Sequence, residues 1–233
     1  MKKVLILVLS ADVEPYSEMI TTAMNTWDSV YVDGIETVYY CDYGKQNTDK
    51  VIYLNTSYDL KQMGEKTIQA LEWSLANKEF DYIARVHSSC YVNKEKLLKY
   101  VNDLQQDNVF CGVEATSQNG FQYLWGGCHF IISRDVVQKI VDNKQMWDHK
   151  YMEDESMSLL VSRLGIHFTA GASCSINIKT DGYLLLSYGY ESILFHDFSE
   201  LKDNPNHFYR VKQDGKRHLD KFIMEKLYES LNG

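Results

Sequence analysis

The sequence predicts an α/β protein, with a mainly parallel β-sheet flanked by helices in a single domain. Three observations predict it. Apolar strand patterns alternate with amphipathic helix patterns through the first two-thirds of the chain, and such alternation leads to parallel sheets. At 233 residues a chain buries roughly 70% of its extended surface on folding, so no disulfide or metal staple is required. Only 2 prolines and 13 glycines are present, and no repeat or Pro/Gly-rich linker divides the chain.

The elements follow in order. Val4–Leu9 is six consecutive apolar residues and reads as a buried strand. Met1-Lys2-Lys3 ahead of it resembles the start of a signal peptide, but the apolar run is too short, and Asp12, Glu14 and Pro15 end it. Residues 16–28 read as a helix, with Tyr16, Ile20, Ala23/Met24 and Trp27 at spacings of three and four. Residues 36–41 and 51–54 are strands, with a turn at 42–44. A helix over 64–76 places Ile68, Leu71 and Leu75 on one face. Residues 82–86 form a buried strand, and a helix over 94–106 carries Leu97, Leu98, Val101 and Leu104. Residues 109–113 and 129–132 are strands, with Trp125-Gly126-Gly127 between them. Ser133 caps a helix to about residue 143, with Val136, Val137, Ile140 and Val141 inward. Glu153-Asp154-Glu155 opens another helix, with Met157, Leu160, Val161 and Leu164 as its core stripe and Gly165 as its stop. Ile193-Leu194-Phe195 is a late strand. The tail over 206–231 reads as a polar, basic loop followed by a helix with Leu219, Phe222, Ile223 and Leu227.

Composition excludes several classes. A net charge of −8 disfavours a nucleic-acid binder, which carries a basic surface. The 5 cysteines form no CxxC, so the expectation is buried, reduced thiols. No stretch reaches the eighteen apolar residues of a membrane span. There is no GxSxG, no P-loop, no GxGxxG and no His pair at metal-ligand spacing.

In open α/β sheets ligands bind beyond the carboxyl ends of the strands. The residues there are Ser10-Ala11-Asp12, then Arg85-Val86-His87-Ser88-Ser89, then Trp125-Gly126-Gly127 with His129, and Glu153-Asp154 at a helix start. Tyr39, Tyr40 and Tyr43 close the second strand and can frame a pocket.

The order of features resembles the β-1,3-galactosyltransferase/Fringe-like glycosyltransferases. Leu9-Ser10-Ala11 and Asn25-Thr26-Trp27 match that family's first strand and helix. Tyr58-Asp59-Leu60, Lys66-Thr67 and Ala70-Leu71-Glu72-Trp73 match its tyrosine, its Lys-Thr pair and an apolar helix ending in Trp. Residues 82–93, ending His87-Ser88-Ser89-Cys90-Tyr91-Val92-Asn93, stand where the family has a strand running into Asp-Asp-Asp-Val-Phe-Val-Asn. Residues 126–134 match Gly-Gly-x-x-φ-φ-Ser-Arg. Glu153-Asp154-Glu155 and Leu164-Gly165-Ile166 match the last motif. The resemblance spans about residues 4–170. Two departures stand out: the aspartate triad is replaced, and Met24 stands where the family carries an arginine.

The resemblance implies a GT-A (Rossmann-like) fold and transfer of a sugar from a nucleotide-sugar donor, UDP-linked, to a glycan hydroxyl with inversion. It implies Asp154 as general base, with Glu153 as the alternative, and Lys66 near the donor. Ser10, Ala11, Tyr58 and Ser89 are further donor contacts by position. In GT-A enzymes the DxD carboxylate holds Mn²⁺ or Mg²⁺ against the diphosphate. Serine brings no charge for a dication, so the expectation is a site with little or no metal dependence. Arg85, His87, His196 and Arg210 are the candidates to offset diphosphate charge, with His207, Tyr209 and Lys212 in a tail that folds over as a lid. Trp125, Gly126 and Gly127 offer a flat apolar face for an acceptor sugar. The expected organisation is a nucleotide-binding half (1–110), an acceptor and catalytic half (111–205), and a C-terminal lid and helix (206–233). The partners are a nucleotide sugar and a glycan or glycoprotein acceptor, in a cytoplasmic enzyme of a microbe or virus. Two other readings fit the same residues: a degenerate GT-A domain that binds a sugar or partner, and a phage-type enzyme that glycosylates DNA bases.

Overall fold

Within Val4–Leu9, the first strand (β1), alternate residues enter two different cores. Val4, Ile6 and Val8 join one, while Leu5, Leu7 and Leu9 join the other. Side chains of a strand alternate between faces, so an unbroken apolar run requires cover on both. The computed structural model describes residues 1–171, 174–178, 184–188 and 191–233.

The strands β2 (Ile35–Cys41), β3 (Val51–Tyr53) and β4 (Tyr82–His87) run parallel to β1. The short strand β5 (Cys90–Val92) follows β4, and β6 (Phe110–Thr116), β7 (Gln122–Ser133) and β8 (Phe168–Ala170) complete the main sheet. Among the described residues its order is β3-β2-β1-β4-β7-β6-β8. Only β7 runs against its neighbours, so the sheet is mixed and mainly parallel, as expected. Helices α1 (Tyr16–Asn25) and α3 (Lys94–Asp103) cover one face, with the C-terminal helix over His218–Asn232. The other face is covered by α2 (Met63–Asn77), α4 (Arg134–Asp142) and α5 (Glu153–Arg163), the C-terminal helix being α6. A second, smaller sheet is ordered β11-β10-β9-β12-β5. It is built from β5, β9 (Cys174–Ile178), β10 (Leu184–Tyr188), β11 (Glu191–Phe195) and β12 (Phe208–Arg210).

Four expectations change. The segment over 206–217 is not loop throughout, because Phe208 and Tyr209 are buried in β12, which pairs antiparallel with β5. The Trp125-Gly126-Gly127 stretch lies inside β7, where the register against β6 jumps from Gly112↔Phe130 to Val113↔Trp125. Phe222 faces outward at 43% exposure, and Met224 takes its place beside Ile223 and Leu227. Helix α1 also stops at Asn25, where the Thr26 hydroxyl bonds back to the Thr22 carbonyl at 2.7 Å, and a 3₁₀ turn over Trp27–Ser29 follows.

Cys41, Cys90, Cys111 and Cys128 are buried free thiols; the Cys174 side chain lies outside the described part. Among the described residues no helix is long and apolar enough to cross a membrane.

Candidate functional site

A cleft of about 860 Å³ opens over the carboxyl ends of β1 and β4. Leu9, Ser10 and Ala11 continue β1 into it, and His87 and Ser89 lie at the turn between β4 and β5. Strand β7 runs opposite to β4 and pairs His129 with Val86, so Gly127, Gly126 and Trp125 project past the end of β4. The first turn of α5 brings Glu153 and Asp154 to the same floor. Tyr58 and Leu60, before α2, stand at the mouth.

The floor is tightly built. A Cβ on Gly126 would lie 2.8 Å from the Phe130 ring and 2.9 Å from Asp154 Cβ, and one on Gly127 would fall 2.1 Å from the Trp125 indole. Glycine is therefore what lets Asp154 and the indole lie against this strand. The Gly126 N–H donates to Asp154 Oδ2 at 3.0 Å, and the Glu155 N–H donates to Oδ1 at 3.0 Å. Each carboxylate oxygen retains a further lone pair. Glu153 is turned away from such work. Its carboxylate accepts from Arg85 Nη2 at 2.5 Å and from the Thr67 hydroxyl at 2.9 Å. Burial pushes the Glu153 carboxyl above the ordinary carboxylate range, with Arg85 pulling against it.

Three cations also line the cleft: Arg210 at the end of β12, Lys212 just after it and Arg217 before α6. Arg217 Nε donates to Asp220 at 2.6 Å, and its guanidinium lies 5.3 Å from the Tyr16 ring centre. Arg210 Nη1 and Arg217 Nη2 are buried without a hydrogen-bond partner among the described residues. Buried donors of this kind are rarely left unsatisfied. The His87 pKa is held well below its ordinary value by burial first, then by Arg85, Arg210, Lys212 and Arg217. His87 is therefore neutral near pH 7 and adds no charge to this cationic lining. Lys66 points to the adjacent corner, paired with Asp42 and donating to the Ser10 carbonyl at 3.3 Å. Among the described residues no three His, Cys, Asp or Glu side chains converge as a metal-holding group.

A solved glycosyltransferase involved in glycosylation of the major capsid of PBCV-1 superposes on nearly the whole chain. It covers 95% of this chain and 98% of its own, with a TM-score of 0.56 at 13% identity. The chain shares the fold of that protein. The expected GT-A-like architecture is thereby borne out. The glycosyltransferase GlyE of Streptococcus pneumoniae TIGR4 overlaps 73% of the chain and 45% of its own, at 13% identity and a TM-score of 0.45. A Xenopus laevis protein, UDP-GalNAc:beta-1,3-N-acetylgalactosaminyltransferase 2, is 24% identical over 132 residues, or 49% of this chain and 27% of that protein. The match thus spans about a quarter of that relative's length. No family model matches the chain.

In this fold, the cleft brings together Ser10, Ala11, Tyr58, Lys66, His87, Ser89, Trp125, Gly126, Gly127, Glu153, Asp154 and Arg210. Two expected contacts lie elsewhere. Arg85 has no exposed surface and sits beneath the floor, since β4 directs it between the sheet and α5. His196 is exposed beside the turn over Phe198–Leu201, its N–H bound to Glu200 at 2.8 Å, and is not part of the cleft. Tyr39 and Tyr40 are core residues, and Tyr43 is outside the cleft. His207 and Tyr209 are buried rather than folded over the cleft. Tyr16, Met63 and Met152 join the lining without having been singled out as ligand contacts. Met152 stands directly before the Glu153-Asp154 pair, the one local signal that points to it.

Proposed function

We propose that the protein transfers a sugar from a UDP-linked donor to a hydroxyl of a glycan acceptor, with inversion at the anomeric carbon. The observation that carries this reading is that one cleft is lined both by Arg210 and Arg217, each with a guanidinium nitrogen lacking a hydrogen-bond partner among the described residues, and by the Asp154 carboxylate. Charge develops at two places in this reaction. The acceptor oxygen loses a proton as it attacks, and the diphosphate gains charge as its bond to the sugar breaks. Asp154 takes the proton on one of its free lone pairs. Arg210, Lys212 and Arg217 receive the diphosphate oxygens, and arginine can do so through two parallel N–H donors. Direct displacement by the acceptor oxygen inverts the carbon.

Residues 1–110 supply the donor side through Ser10, Ala11, Tyr58, Lys66 and Ser89. Trp125, Gly126 and Gly127 supply a flat face on which the acceptor sugar stacks. The surroundings of His87-Ser88-Ser89 do not fit a divalent cation. The donors there are an imidazole and two hydroxyls, and the neighbouring charges that depress His87 are all positive. The three cations take the metal's place in this account.

Asp154→Asn tests the base. Turnover falls about 10²- to 10⁴-fold, while the UDP-sugar affinity stays at the wild-type value by calorimetry. Wild-type turnover in that variant overturns Asp154 as the base.

A further inference from the structure

We infer that Arg85 is a positioning residue that fixes the Asp154 carboxylate from beneath the cleft; this rests on the reading of Asp154 as the base. Arg85 projects from β4 with no exposed surface. Its Nη1 donates to the Gly126 carbonyl at 2.7 Å and its Nη2 to Glu153 Oε2 at 2.5 Å. Those two acceptors belong to the two segments that hold Asp154. Glu153 is its chain neighbour at the head of α5, and Gly126 gives its N–H to Asp154 Oδ2 at 3.0 Å. One planar fork therefore ties β7 to α5 at the point where the carboxylate is seated.

The remaining contacts hold the fork in place. Thr67 on α2 donates to the second Glu153 oxygen at 2.9 Å, and its hydroxyl meets the Tyr40 hydroxyl at 3.2 Å. The Phe130 ring lies 5.4 Å from the guanidinium carbon. The chain of contacts Tyr40–Thr67–Glu153–Arg85–Gly126 thus joins β2, α2, α5, β4 and β7 beneath the floor.

Stability alone is a poor reason for such a pair. Well-packed apolar residues of similar volume commonly serve as well as a buried ion pair. What they cannot reproduce is the guanidinium's rigid two-pronged geometry. A lysine at this position keeps the charge but presents a single point, so it can hold Glu153 or the Gly126 carbonyl firmly, not both.

Arg85→Lys is the test, read by amide hydrogen exchange and by steady-state kinetics with UDP-galactose and UDP-N-acetylgalactosamine as probe donors. The expected result is at least tenfold faster exchange at the Gly126 amide, with UDP affinity unchanged. The kcat falls about 10²-fold, the scale of an ångström-level misplacement, while the donor KM stays constant. Glu153→Gln, which keeps shape and removes the charge, gives the same pattern at smaller amplitude and serves if the lysine variant does not fold. Wild-type exchange at Gly126 overturns the inference. So does a parallel loss of UDP affinity, melting temperature and kcat, or collapse of both variants, since each is a purely structural role. Failure of the base reading is separate: Asp154→Asn would then turn over normally while Gly126 exchange in Arg85→Lys still rises.

Discussion

Gly126 has room for a hydrogen atom and nothing larger. A methyl there meets Phe130 at 2.8 Å and Asp154 Cβ at 2.9 Å. Gly126→Ala should therefore cost about 1–3 kcal/mol, the usual range for overpacking, measured as a lower urea midpoint, and should displace Asp154. The Gly-Gly pair is visible in the sequence, but its reason is not, because Phe130 and Asp154 reach it from other elements. His207 makes the same point. It reads as a lid residue in a polar tail, yet it is buried, stacked on Tyr100 at 4.6 Å, with His129 nearby. Burial first, and then His129, pulls its pKa down to about 3. Unfolding lets it bind a proton near its ordinary value of about 6.5. The stability from keeping it neutral is thus whole above pH 6.5 and declines toward pH 3, by up to about 1.4 kcal/mol per unit. Urea midpoints at pH 7.5, 5.5 and 4.5 should fall in that order, and His207→Phe should flatten the slope. An unchanged slope in that variant counts against the assignment.

At the scale of elements, legibility followed local pattern. Val4–Leu9, the Leu97/Val101 face of α3 and the Val136/Val137/Ile140 face of α4 carry their periodicity within one segment, and each is buried as expected. Strand β12 was missed because its three residues sit among polar neighbours, and only pairing with Cys90–Val92 makes them a strand. That pairing seats Arg210 in the cleft lining, where it was expected, while His207 and Tyr209, expected in a lid, are buried with the strand. The Arg85–Glu153 pair, 68 positions apart, carries no local signal at all, and so Arg85 read as a donor contact. Arg210→Ala and Arg217→Ala should each weaken UDP-sugar binding about 10- to 100-fold, the scale of a lost hydrogen bond to a charged group. Calorimetric affinities within twofold of wild type would remove these residues from the diphosphate site.

Over the whole molecule, the formal charge is −8, yet Arg210, Lys212 and Arg217 all line the cleft over β1 and β4. Such a local concentration of cations draws an anion toward that part of the surface. The fold brings those cations into the cleft that Asp154 also lines by pairing the late strand β12 with β5, directly after the β4 turn. The central claim is that this cleft takes a nucleotide sugar and holds its diphosphate with side-chain cations. The most direct measurement is the melting temperature with UDP-, GDP-, CMP- and dTDP-sugars, each with Mn²⁺ and with EDTA. A ligand bound only by the folded state raises that temperature by mass action. The account predicts stabilisation by UDP-sugars that persists in EDTA and is lost in Arg210→Ala. Stabilisation that appears only with Mn²⁺, or none with any donor, would contradict it.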